Sequence, residues 1–145
     1  MKSTFKIIRR RMQRGNAMLE MGLATPVLIL MLSGVIDFGR AFYFTDAAVS
    51  AARAGAQYGI ESPANFGNYP GMRQAALNDA QGISNLTAVA TSYCQDSGGA
   101  TALCTAAGIK GYVQVKTAIT YNLMIPWPGL PNPLNIGGIA IMRCK

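Results

Sequence analysis

The chain has 145 residues, half of them hydrophobic and only 13% charged, with a formal net charge of +7. That is enough for one small domain plus an anchor, and the charged fraction falls well below the roughly 25% of soluble globular chains. Histidine is missing, which removes the commonest general base and the commonest metal ligand together.

The first fifteen residues hold Lys2, Lys6, Arg9, Arg10, Arg11 and Arg14 and no acid, whereas residues 16–145 carry a net charge of only +1. The basicity belongs to a short leader. A nucleic-acid-binding protein carries its charge on the folded module, so no nucleic acid is expected as a partner.

At Gly15 the pattern changes. Residues 17–36 contain one charge, Glu20, over about the 20 residues a helix needs to cross the hydrocarbon core. Six cations precede this segment, and Asp37 and Arg40 follow it. The positive-inside rule then leaves the N-terminus in the cytoplasm and the rest of the chain outside. A secretory signal peptide has a shorter apolar core and a small-residue cut. Here Phe38, Phe42, Tyr43 and Phe44 follow the segment instead, as an interfacial aromatic belt would. Asp37, Arg40, Phe42 and Tyr43 are therefore the expected outer-interface residues, with Asp37 and Arg40 spaced to pair. Pro26, inside the span, is expected to kink or loosen the helix.

Glu20 is the anomaly. A charge inside a membrane span costs roughly 2.5–3.5 kcal/mol at the centre and less near the edge. One account is a carboxylate that lifts its head towards water. The other is a cut between Gly15 and Asn16, which makes Asn16 the first residue and leaves a new amine for Glu20 to neutralise, in its own chain or a neighbour's. Opposite charges that are costly singly are tolerable as a pair, and such a pair would set the register between packed helices.

The octapeptide Arg14-Gly15-Asn16-Ala17-Met18-Leu19-Glu20-Met21 resembles the prepilin peptidase site of type IV pilins, in which a basic leader ends in Gly and Glu follows after four intervening residues. More narrowly, RGNAMLE at 14–20, Pro26, IDFGRAFY at 36–43 and AARAGAQY at 51–58 resemble the TadE-like family, pseudopilins of tight-adherence pilus systems. Met21 stands where that family has an aromatic residue. The resemblance implies cleavage by prepilin peptidase, residence in the inner membrane, and association with a pilus assembly platform and other pilin subunits. Major pilins of such systems are much shorter, so this length implies the minor class.

Beyond Arg40 the helical pattern continues. Asp46, Ser50, Arg53 and Gln57 share one polar face. Ala47, Ala51, Gly55 and Gly59, with Ala48 and Ala52, make a smooth small-residue face, the kind that lets another backbone approach closely. That backbone is another subunit's or the chain's own domain's, and the two readings are compatible. A helix over residues 17–59 would be about 65 Å long at 1.5 Å per residue and would outreach the bilayer.

Residues 62–71 read as a turn-rich linker and 72–80 as a short helix. Residues 85–93 read as a strand, 112–121 as a half-buried strand with Val113, Val115, Thr117, Ile119 and Tyr121 on one face, and 136–142 as a last strand. Residues 125–133 hold four prolines and cannot be regular. Trp127 lies there, either in the core or as a subunit or membrane-surface contact. Cys94 and Cys104 bracket a loop containing Gly98 and Gly99, and a disulfide is expected there outside the cytoplasm. Pairing of either with Cys144 is the alternative, and one thiol remains in any case. Three cysteines without histidine or a close pair do not match zinc spacings.

The outer acids Asp46, Glu61, Asp79 and Asp96 are scattered, and no glycine pattern forms a phosphate loop. No enzyme and no cofactor are expected. The reading is therefore an α+β, type IV pilin-like chain in three parts. Residues 1–15 form the leader and 16–60 a long helix, transmembrane over 17–36. Residues 61–145 form a small antiparallel head. Its expected function is that of a minor pilin or pseudopilin, and the alternative is an uncleaved, single-span anchored binding module.

Overall fold

The computed structural model describes the backbone of residues 2–104 and 108–144 and side chains from residue 17 onward, those of residues 105–107 and 145 excepted. Helix α1 spans Lys2–Glu61 and α2 spans Tyr69–Asp79, with a 3₁₀ turn at Pro63–Asn65 between them. Strands β1 (Leu86–Gln95), β2 (Lys110–Tyr121) and β3 (Leu134–Arg143) follow. The chain divides into two compact units, Met1–Phe38 and Gly39–Lys145.

The first unit is helix alone. Its large apolar side chains from Met18 (81% exposed) to Ile36 (46%) are exposed. Helix α1 continues through Pro26, although proline offers no N–H to the carbonyl four residues back and its ring crowds that carbonyl. The residue four back is Gly22, around which a Cβ would find nothing within 4 Å. Thr25 donates its hydroxyl to the Met21 carbonyl at 2.7 Å, and Ser33 donates to Ile29 at 2.8 Å. Both hydroxyls are thus satisfied within the helix, as an apolar surrounding requires.

The second unit is a three-stranded antiparallel sheet in the order β1-β2-β3, covered on one face by helices. From residue 39 on, α1 buries Ala48, Ala51, Ala52, Gly55, Ala56 and Gly59. These positions recur at the three- and four-residue spacing of one helical stripe. Asp46, Ser50, Arg53 and Gln57 are exposed, as their spacing predicts. The stripe meets Val113, Val115 and Ile119 of β2, Ala140 of β3, and Met72 and Ala76 of α2, which together make the core. Strand β2 alternates as expected, with Val113, Val115, Thr117, Ile119 and Tyr121 inward.

The contact is close because side chains are missing where backbones meet. A Cβ on Gly138 would lie 2.6 Å from the Ala48 carbonyl oxygen, and one on Gly55 would lie 2.8 Å from the Met72 carbonyl oxygen. Between them the buried Thr117 donates its hydroxyl to the Ala48 carbonyl at 2.7 Å and accepts from the Gly138 N–H at 3.3 Å.

Element boundaries differ from expectation mainly at residues 62–71. The same turn chemistry starts helical structure there. Asn68 caps α2 by accepting the Gly71 N–H at 3.1 Å, and Pro70 sits in the first turn, where its missing N–H costs nothing. Helix α2 therefore begins at Tyr69, three residues before the predicted start. Strands β2 and β3 start two residues earlier than their apolar alternation indicates, because ladder pairing continues through Lys110 and Leu134.

Replacing Gly138 by valine should destabilise the head by about 2–3 kcal/mol, because backbone atoms and not flexible side chains occupy the space. Gly67→Ala, with open space around it, should be near neutral. Denaturant unfolding of the detergent-solubilised chain compares the two. Thr117→Val should cost about 1–3 kcal/mol in the same assay, because it removes a buried donor–acceptor bridge.

Candidate anchoring and assembly surfaces

The span-side surface is built from α1. The surroundings of Gly15 and Asn16, expected to flank the cut, and the side chains of the leader are outside the described residues. Glu20 is exposed among the exposed Met18, Leu19, Met21 and Leu23. Its carboxylate is thus displayed on a helix surface that is otherwise hydrocarbon. The segment Ala17–Glu61 is long and apolar enough to cross a membrane, and none of its most apolar stretch is buried. A bare apolar surface of this extent does not persist in water.

The residues expected at the outer interface separate by environment. Asp37 is buried, only 1% exposed. Arg40 is exposed, with its guanidinium 5.3 Å from the centroid of the Tyr121 ring, a cation–π distance. Phe42 and Tyr43 point outward, 76% and 66% exposed. Phe44, half-buried, packs against Tyr121 with ring centroids 5.3 Å apart.

The small-residue face turns inward. Ala51, Gly55 and Gly59 are buried and Ala47 half-buried, with Gly55 and Gly59 against Met72, Val113 and Val115 of the chain's own head. Of the two partners the sequence left open for this face, the structure supplies the intramolecular one. The outer half of α1 leaves the polar row of Asp46, Ser50, Arg53 and Gln57 exposed. Thr117 and Gly138 escaped the sequence reading as helix-docking residues. The Gly137-Gly138 pair inside an otherwise apolar strand was the available signal, since strand glycine marks close backbone approach.

At the far end of the head, Cys94 and Cys104 form a disulfide. The register explains why Cys144 stays out of it. Cys94 pairs with Gly111, and the Cys144 N–H donates to the Gly111 carbonyl at 2.8 Å. Cys94 and Cys144 therefore sit two strand spacings apart, about 10 Å, beyond the roughly 7 Å limit for a disulfide. Cys144 is free and half-buried, and its thiol donates weakly to the Gly59 carbonyl at 4.0 Å. Burial pushes this thiol above its ordinary pKa. A cavity of about 630 Å³ opens here between Ile60, Pro63, Phe66, the disulfide and Cys144. Among the described residues no group of three His, Cys, Asp or Glu is placed to hold a metal ion.

A long apolar N-terminal helix whose outer part packs on a small three-stranded antiparallel sheet defines an α+β protein. Residues 15–57 match the model of the TadE-like protein family, a stretch that covers the apolar part of α1 and most of its continuation towards Glu61, as the resemblance around Glu20 implied. That family is structural and comprises pilin-like proteins of tight-adherence pili. No curated protein and no solved structure matches the chain.

Replacing Cys94 and Cys104 by serine should lower stability by about 2–3 kcal/mol on the chain-entropy account for a loop this short, read from denaturant unfolding with midpoint and slope fitted together, since the freed loop also expands the unfolded chain. Alkylation of Cys144 should be slower in the folded than in the unfolded chain, because thiolate is the reactive form. The gap should narrow as pH rises and the folded thiol ionises too.

Proposed function

We propose that this chain is a minor pilin or pseudopilin, a structural and non-enzymatic subunit of a tight-adherence pilus. On this reading prepilin peptidase removes residues 1–15, and the mature chain starts at Asn16. Residues 17–36 hold it in the inner membrane with the leader side cytoplasmic and the head outside, until the assembly platform passes it to other pilin subunits. The carrying observation is Glu20, a carboxylate exposed on an apolar helix four residues inside the expected cut, in a family match that begins at Gly15. The new amine at Asn16 and the Glu20 carboxylate neutralise each other, within one chain or between neighbours, and set the stagger between helices.

One observation favours a second reading. The cavity of about 630 Å³ beside the disulfide has the size of a small-molecule site, as an uncleaved, membrane-anchored binding module would need.

N-terminal sequencing of the protein from cells that contain the peptidase separates the two. Asn16 first supports the subunit; Met1 first supports the uncleaved module. Glu20→Ala should abolish incorporation into pili while membrane insertion survives. Losing one partner of a buried ion pair costs about 3–5 kcal/mol, whereas removing a charge from an apolar span favours insertion. Pili containing the variant at wild-type level would count against the pairing.

A further inference from the structure

Strand β3 lies at an edge of the sheet. Strand β2 flanks it on one side, and no strand among the described residues pairs with it on the other. An antiparallel ladder turns the N–H and C=O of successive residues to opposite sides. The Cys144 N–H bonds to the Gly111 carbonyl, which fixes the phase of that alternation. The even-numbered residues of β3 therefore bond to β2, whereas Asn135, Gly137, Ile139, Ile141 and Arg143 turn both backbone groups away from it. All five are exposed, and no hydrogen bond among the described residues uses their outward backbone groups.

Edge strands that stay single are blunted by an inward charge, a proline or a bulge. From Leu134 to Met142, β3 has no charge and no proline, its register with β2 is unbroken, and Ile139 and Ile141 are 60% and 52% exposed. The opposite edge is different. There the same alternation turns Leu86, Ala88, Ala90, Ser92 and Cys94 outward, helix α2 packs against the strand, and the Ala102 N–H takes the Cys94 carbonyl at 2.9 Å. One edge is covered and the other is open.

We propose that the β3 edge receives an extended segment of a partner protein, which joins the sheet as a fourth, antiparallel strand. A row of outward N–H and C=O groups is matched by another strand's backbone. The side chains beside it specify the composition of that strand. Strands β1, β2 and β3 hold Lys110, Lys116 and Arg143 and no acid, so the partner strand sets a carboxylate beside Arg143, near its own N-terminal end. It sets apolar side chains beside Ile141 and Ile139 and a larger one over Gly137. On the opposite face its side chains are small, because α1 lies so close over β3 that a Cβ on Gly138 would meet the Ala48 backbone. A second copy of the chain matches this poorly: its β1 edge is covered, and its β3 has no acid to set beside Arg143. The proposal is independent of leader cleavage and of assembly into a pilus.

The test uses the full-length chain at one copy per nanodisc and a labelled, acetylated and amidated peptide, ESVSVSYST, as the probe. Fluorescence anisotropy should show saturable binding below millimolar peptide. Amide exchange read by nuclear magnetic resonance should show Ile139 and Ile141 exchanging fast in the free chain and protected in the complex, with Ile136 and Ala140 slow in both. Ile139→Pro removes an outward N–H that the ladder does not use. It should weaken binding about tenfold and leave the unfolding midpoint close to that of the unsubstituted chain. Arg143→Glu, at an exposed position, should weaken binding about fivefold, and lysine in place of the peptide's glutamate should restore it. No saturable binding at millimolar peptide overturns the proposal. Binding that both substitutions leave unchanged places the peptide elsewhere and overturns it too. Protection of Ile139 and Ile141 without peptide, appearing when several copies share a disc, assigns the edge to a second copy and overturns the partner.

Discussion

The Ala48 carbonyl oxygen accepts the Thr117 hydroxyl at 2.7 Å and would meet a Cβ on Gly138 at 2.6 Å. Helix α1 can lie this close to β2 and β3 because alanine and glycine are the residues it presents. A three-stranded sheet of about thirty residues has little apolar area of its own, and small domains are correspondingly marginal. Pressing backbone against backbone recovers dispersion contacts that larger side chains would otherwise provide. The remainder of the head depends on this contact. Helix α2 fits beside α1 because Met72 lies over Gly55 and Gly59, and β1 is held by β2 and α2.

The disulfide supplements this contact at the end of the sheet that holds Gly111 and Cys144. Cys94 is the penultimate residue of β1, and the bridge to Cys104 limits the freedom of the connection to β2 in the unfolded chain. The thiol of Cys144 lines the same cavity. It remains unpaired because β2 stands between it and Cys94, and burial raises its pKa, which lowers the fraction of reactive thiolate. A reactive thiol beside a disulfide would invite exchange; here strand order and desolvation both oppose it.

A single helix therefore faces three environments in succession. Over residues 17–36 its side chains suit hydrocarbon, with Glu20 the one charge among them. Around residues 40–44 it carries a cation and aromatic rings. From residue 47 it is a scaffold for a water-facing domain. Each transition is a change in which residues repeat at helical spacing, while the backbone hydrogen bonding stays the same.

Much of this was legible from residues in order. The apolar run of residues 17–36 is set by length and transfer energy, which need no tertiary partner, and the Gly15–Glu20 spacing is a local pattern. The alternation of Val113, Val115, Thr117 and Ile119 also reads locally, because strand period and burial are properties of the segment. What the sequence could not decide was the partner of each surface. Ala51, Gly55 and Gly59 are as suited to a neighbouring subunit as to the chain's own β2, and only the folded sheet shows that β2 takes them. The fate of Cys144 depended on strand order, which puts Gly111 between it and Cys94. Asn68 and Pro70 read equally as a linker or as a helix start, until the capped turn of α2 distinguished them. Local periodicity determines which residues are inside; long-range pairing decides what they are inside with, because that choice is made by contacts between segments far apart in the chain.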